Sequence, residues 1–499
     1  MLEAASLFTD GCVLCRGKEI RIFGRGENGR TVTGRLEDAA GGLLAEGTAE
    51  VRNGRFLLSL PPQEARTGCR LRLTDGEEEW TAEDAAIGDV YLAGGQSNME
   101  LELQYALGGA EQAAEDPMLR FFKVPRMPYA SAAHEKALRE TQWKPVTRET
   151  AGFNSAAATI FGEAMRKKRP EIPVGIIECY WGGTSATCWM NEETLRETAE
   201  GARYLAEYAE KSAGKTMETY LREEEEFQKT LEVWNGTVDA YREAHPGADF
   251  EEITKACGAC PWNPPAGPGS PYRPAGLAES MLGVVTPVTL TAVLYYQGEE
   301  DTGKTDRYDL LMTALIRYWR KEFREAELPF LFVQLPMWLD FGAEDSFRWA
   351  LTRLKQAAAR DATRNTGMIC LLDQGEYGNI HPVNKGPVGL RLAELAGKML
   401  YGEGEESPRA VGRYVDGDTM TVRLSGAAAT SDGEAPRLLE IAGEDGRFVP
   451  AAGEADGDVL RIRAAGVAHP AQARYAWTDW SDRVNLFGVN GLPVEPFWV

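Results

Sequence analysis

Five short apolar runs, each closing on glycine or a polar cluster, constrain this chain more than any other feature: residues 89–93, 173–178, 290–296, 329–335 and 368–372. A strand buried on both faces reads as a near-continuous apolar run, whereas a half-exposed strand alternates. Stretches of helical character lie between the runs at 159–168, 308–323 and 346–362. Strands that alternate with helices predict an α/β fold with a parallel sheet covered on both faces. Ligands bind such sheets beyond the carboxyl ends of the strands. The polar motifs of this chain all follow those ends.

The flanks read differently. Residues 19–23, 55–60 and 70–74 alternate with period two, and Asn53-Gly54 and Asp75-Gly76 supply turn signals. Residues 1–85 are therefore expected to form a sandwich-like β module and 86–402 the α/β domain. Residues 403–499 return to short strands, and this β-rich tail is expected to pack back onto the N-terminal module. An acidic, helix-favouring insert at about 191–272, with Glu223-Glu224-Glu225-Glu226 in series, interrupts the central part. It is expected to be a solvated cap beside the site.

Charge narrows the partners. A formal net charge of −22 repels phosphates and anionic lipid, so neither nucleic acid nor a membrane is an expected partner. An acidic small molecule would need a local cation, and Arg273, in the loop before the third apolar run, is the candidate. Residues 1–5 have no basic or apolar leader character, which suits a cytoplasmic protein or a secreted one whose signal is absent. Among eight cysteines, the pairs Cys12/Cys15 and Cys257/Cys260 have zinc-like spacing but no supporting ligands. They are expected to be reduced thiols packed like small apolar residues, with no metal and no cofactor.

Four strand-end motifs carry chemistry: Gly94-Gly95-Gln96-Ser97-Asn98-Met99, Trp181-Gly182-Gly183-Thr184-Ser185, Tyr296-Gln297-Gly298-Glu299-Glu300 and Gly378-Asn379-Ile380-His381-Pro382. Acyl transfer needs a hydroxyl, an imidazole to take its proton, and donors for the developing oxyanion. Ser97 and His381 are candidates for the first two. The backbone N–H groups of Ser97 and Gly183 (or Gly182) and the Gln297 side chain are candidates for the donors. Gln96, Asn98, Trp181 and Glu299 are candidate substrate contacts, and Tyr296 is a further candidate to stack on a sugar or pack in the core. Glu299 and Glu300 could also be read as a glycosidase pair, although neighbours on a loop need not face one substrate.

At these residues the chain resembles the sialate O-acetylesterase family of SGNH-type carbohydrate esterases, in which GQSNM holds the nucleophile and IHP the base. The resemblance implies a three-layer α/β/α domain and removal of O-acetyl groups from a sugar, foremost sialic acid. Acetylated xylan or another glycan is the nearest alternative. One departure stands out. The common pattern has an aspartate three residues before the histidine, where this chain has Gly378; relatives with an acid two residues before it correspond to Asn379. Glu376 and Asp373 are the nearest substitutes for the third triad member. A Ser–His dyad held by a backbone carbonyl, and a carbohydrate-binding protein on a degenerate esterase fold, are the other readings.

Overall fold

The computed structural model describes residues 1–248 and 250–499. Near the N-terminus, β1 (Ile20–Arg25) and β2 (Arg55–Leu60) pair antiparallel. Their alternation puts Ile20, Ile22, Phe56, Leu58 and Leu60 in the core. The long strand β3 (Glu79–Gly95) pairs first with the antiparallel strand Arg66–Thr74 and then enters the central sheet. Residue 85, expected to end the N-terminal module, thus lies inside a continuous strand.

The central sheet adds β4 (Asp116–Lys123), β5 (Val174–Tyr180), β6 (Ala292–Tyr296), β7 (Phe330–Val333) and β8 (Thr366–Ile369). Their order is β4-β5-β3-β6-β7-β8, every neighbour parallel, with Lys144–Val146 antiparallel at the edge. After β3 the chain builds β4 and β5 on one side, then crosses to β6 on the other. This reversal opens a crevice where β3, β5 and β6 end.

The principal helices are α1 (Ala156–Lys168), α2 (Ala199–Lys211), α3 (Met217–Ala244), α4 (Tyr308–Glu322), α5 (Arg348–Asp361) and α6 (Gly386–Tyr401). Phe161 of α1 and Leu392 of α6 join one core cluster, with Leu294 and Leu331 of the sheet. Leu315 and Trp319 of α4 join another, with Tyr295 and Phe330 from the opposite sheet face. Helices therefore cover both faces, and the whole is a mixed α/β protein with additional β-rich sheets. The insert supplies α2 and α3, each with a threonine N-cap, Thr198 and Thr216.

Three expectations need correction. Strand β4 was not anticipated, because Asp116, Arg120 and Lys123 interrupt its apolar pattern; Arg120 is nevertheless buried, donating to the Gly11 and Asp84 carbonyls. Among the described residues, the core of the β-rich tail takes in nothing from the N-terminal module. It is shared with Met337, Cys370 and Leu372, beyond the ends of β7 and β8. The cysteine pairs also differ from each other: Cys12 and Cys15 are buried, but Cys257 is half-buried and Cys260 exposed.

Candidate active site

Ser97 opens a single turn, Ser97–Glu100, directly after β3. The chain can turn there because Gly95 holds φ +129°, and any Cβ on it would lie 2.1 Å from the Tyr296 carbonyl oxygen. The loop after β8 brings His381 across, and its Nε2 lies 2.8 Å from Ser97 Oγ. That is hydrogen-bond distance for proton transfer from the hydroxyl. The backbone N–H groups of Ser97 and Gly183 hydrogen-bond nothing among the described residues. Gly182, the alternative donor, gives its N–H to Glu100 Oε2 at 2.6 Å, so Gly183 is the glycine left free.

The four loops are locked together beneath the mouth. Asp301, fully buried, accepts from Ser185 Oγ, the Ala186 N–H, Gln297 Nε2 and Tyr204 Oη. Gln297 is not turned toward the mouth as an oxyanion donor. Its amide nitrogen is engaged by Asp301 at 2.6 Å and by the Thr184 carbonyl and Gln96 Oε1 at 3.2 Å, while its oxygen accepts from Tyr308. Gln96 is likewise structural, since its Oε1 also accepts from the Gly298 and Glu300 N–H groups. Asn98, expected as a substrate contact, instead donates to Glu299 Oε1 at 2.6 Å and to the Ile380 carbonyl at 3.0 Å. It accepts from Lys385 Nζ. Burial raises the Glu299 pKa, while it lowers that of Lys385 to about 8.

His381 has no carboxylate partner. Its outer edge is open to solvent, but the surrounding protein and then the Lys385 ammonium lower its pKa to about 4. Its Nδ1 hydrogen-bonds nothing among the described residues; its backbone N–H donates to Asn379 Oδ1 at 3.0 Å. Glu376 accepts from Asn379 Nδ2 at 2.7 Å and from the Val383 N–H at 3.1 Å, bracing the loop rather than the imidazole. Asp373 is held by Arg391 through two contacts of 2.7 Å. At position 378 an aspartate would meet strain: Gly378 has φ +73°, and a Cβ there would fall 2.1 Å from the Phe341 ring as it stands.

A cavity of about 390 Å³ lies elsewhere, but one of about 300 Å³ begins at Gly183. The insert and the loop after it line this smaller cavity with Tyr204, Tyr208, Lys211, Trp262 and Tyr272. Trp262 is 48 % exposed, its ring set against Gly183 and at 5.7 Å, edge-on, from that of Tyr272. Trp262 and Lys211 had no motif to single them out. Neither does Arg273 line the cavity; it faces Glu279 at 3.5 Å. Trp181 is half-buried with the Arg126 guanidinium 5.4 Å from its ring centre, and Tyr296 is core. Among the described residues, no group of three or more His, Cys, Asp or Glu is placed to hold a metal.

Comparison with known proteins agrees with this architecture. A carbohydrate acetylesterase from Xanthomonas citri superposes with a TM-score of 0.77 at 27% identity, covering 100% of this chain and 99% of that one. The sialate O-acetylesterase of Rattus norvegicus is 25% identical over 64% of this chain, and the match spans 58% of the rat protein's length. The Homo sapiens sialate O-acetylesterase is 24% identical over 77% of this chain and 68% of its own length. The profile of the family described as "Carbohydrate esterase, sialic acid-specific acetylesterase" matches residues 87–214 and 267–388, half of the chain. The chain belongs to the family of sialic acid-specific acetylesterases among the carbohydrate esterases.

Proposed function

We propose that this protein is a serine esterase that removes O-acetyl groups from sugars, with O-acetylated sialic acid as its preferred substrate. The observation that carries the reading is the 2.8 Å contact between Ser97 Oγ and His381 Nε2, beside two unengaged backbone N–H groups. In this reading Ser97 attacks the acetyl carbonyl as its proton passes to His381. The negative oxygen lies between the N–H groups of Ser97 and Gly183; one such donor is worth about 3–4 kcal/mol of barrier. His381 then protonates the departing sugar oxygen, and water, deprotonated by His381, releases acetate from Ser97.

The cavity at Gly183 supports a sugar as the alcohol. Trp262 and Tyr272 offer aromatic faces and edges to a ring. Lys304 is paired with Glu207, whereas Lys211 forms no ion pair among the described residues and can meet a sugar carboxylate. The helix-covered sheet supports an SGNH-type, three-layer assignment for residues 86–402, with the insert setting specificity.

The test is acetate release by wild type and Ser97→Ala from O-acetylated sialic acid and from acetylated xylan. Wild-type activity on the first, lost in Ser97→Ala, is expected. Preference for xylan would overturn the substrate, and equal rates in both proteins would favour a binding protein, the reading that Gly378 motivates.

A further inference from the structure

The larger cavity, about 390 Å³, lies at the other end of the sheet from Ser97. Its lining includes Thr286 and Pro287, which precede β6, and Arg324, which follows α4 and precedes β7. These are the amino ends of strands whose carboxyl ends carry the catalytic loops. The remaining wall comes from residues 3–6, β1, β2, the helix Ala132–Glu140 and residues 283–284.

Four arginines line it: Arg25, Arg55, Arg139 and Arg324. Only two carboxylates face them, Glu3 and Glu135, and Arg139 engages both, at 3.1 and 3.6 Å. Arg25, Arg55 and Arg324 form no ion pair among the described residues. Arg25 and Arg55 are moreover cross-strand partners in the β1–β2 register. Two like charges opposite one another weaken a sheet. On its other side Arg25 has Glu3 as its register partner, but that carboxylate is taken by Arg139 at 3.1 Å. An anion between the two guanidinium groups turns this repulsion into attraction.

Phe23, Leu57 and Leu138 give the wall an apolar part, alongside the hydroxyl residues Ser6 and Thr286. A bare inorganic ion makes no use of such a surface. A ring carrying a carboxylate does: the planar guanidinium fork matches the carboxylate, and the ring covers the apolar side. We propose that this cavity is a second binding site, remote from the catalytic serine, for a carboxylate-bearing saccharide.

The experiment is calorimetric titration with sodium glucuronate, which has no acetyl group, at fixed ionic strength, with glucose and sulfate as controls. Wild type, Arg25→Ser/Arg55→Ser and Arg324→Ser are compared, each also assayed for acetate release from an acetylated neutral sugar. Glucuronate is expected to bind wild type, to bind the double variant at least tenfold more weakly, and to bind Arg324→Ser more weakly than wild type. Glucose should not bind this site, and the double variant's acetate release should match wild type. Without ligand, the double variant should also unfold at no lower urea concentration than wild type, because removing a cross-strand repulsion does not weaken the sheet. No glucuronate binding to wild type, or equal affinity in the variants, overturns the proposal. Sulfate binding as tightly as glucuronate, and lost with it, would overturn the saccharide assignment. Should the double variant not fold, Arg324→Ser decides on the same criteria.

Discussion

At the scale of single residues, the proposed mechanism depends on one imidazole that stays neutral without a carboxylate to orient it. Burial and Lys385 place the His381 pKa at about 4, below its ordinary value of 6.5. A base works only unprotonated, so kcat/KM should stay level from neutral pH down to about pH 5. It should fall as pH drops through about 4, where a proton occupies Nε2. Lys385→Met removes the ammonium repulsion, makes the imidazolium easier to form, and should move this acid limb to higher pH. A pH–rate profile of both proteins checks the direction. The same residue scale explains Gly378. The backbone turns left-handed there and Phe341 occupies the side-chain direction, an arrangement that suits glycine where the common pattern has its orienting aspartate.

At the scale of elements, the insert lines the cavity at Gly183. Helix α2 contributes Tyr204, Tyr208 and Lys211, and the loop after the insert's last helix contributes Trp262. Trp262→Ala should raise KM for an acetylated sugar by roughly two- to tenfold, as loss of a stacking face costs roughly 0.5–1.5 kcal/mol beyond lost area. Steady-state kinetics should show a smaller rise in KM for p-nitrophenyl acetate, which has no sugar to stack. The elements themselves were unevenly legible in sequence. Strands β3, β5, β6, β7 and β8 could be read because double-sided burial leaves a continuous apolar signal. Strand β4 could not, since the charge of Arg120 is satisfied by carbonyls far away in sequence. The motifs that end strands pointed to Ser97, Gly183 and His381, and the fold brings Ser97 and His381 into contact. They gave no warning that Gln96, Asn98 and Gln297 are consumed by contacts between loops, because those contacts are made only when β3, β6 and the His381 loop converge. Trp262 was hidden for a related reason: its meeting with Gly183 depends on how the insert folds back.

At the scale of the whole molecule, the β-rich tail stiffens the side of the sheet from which the His381 loop emerges. Arg360 of α5 and Glu495 of the tail form a buried pair at 2.6 Å, and Asp479 accepts from the Ala350 N–H at 2.9 Å. Glu495→Ala leaves a guanidinium buried with only the exposed Asp361 beside it. It should lower unfolding stability by about 3 kcal/mol in urea titration, the low end for breaking a buried pair. The proposed catalysis turns on Ser97 and His381 acting without an orienting carboxylate. The direct measurement is kcat for acetate release by wild type, Ser97→Ala, His381→Ala and Glu376→Gln in one assay. The first two substitutions should each reduce kcat by about 1,000-fold or more, while Glu376→Gln stays within about threefold of wild type. A fall in Glu376→Gln comparable to that in His381→Ala, with folding intact, would make Glu376 the third triad member and contradict the dyad.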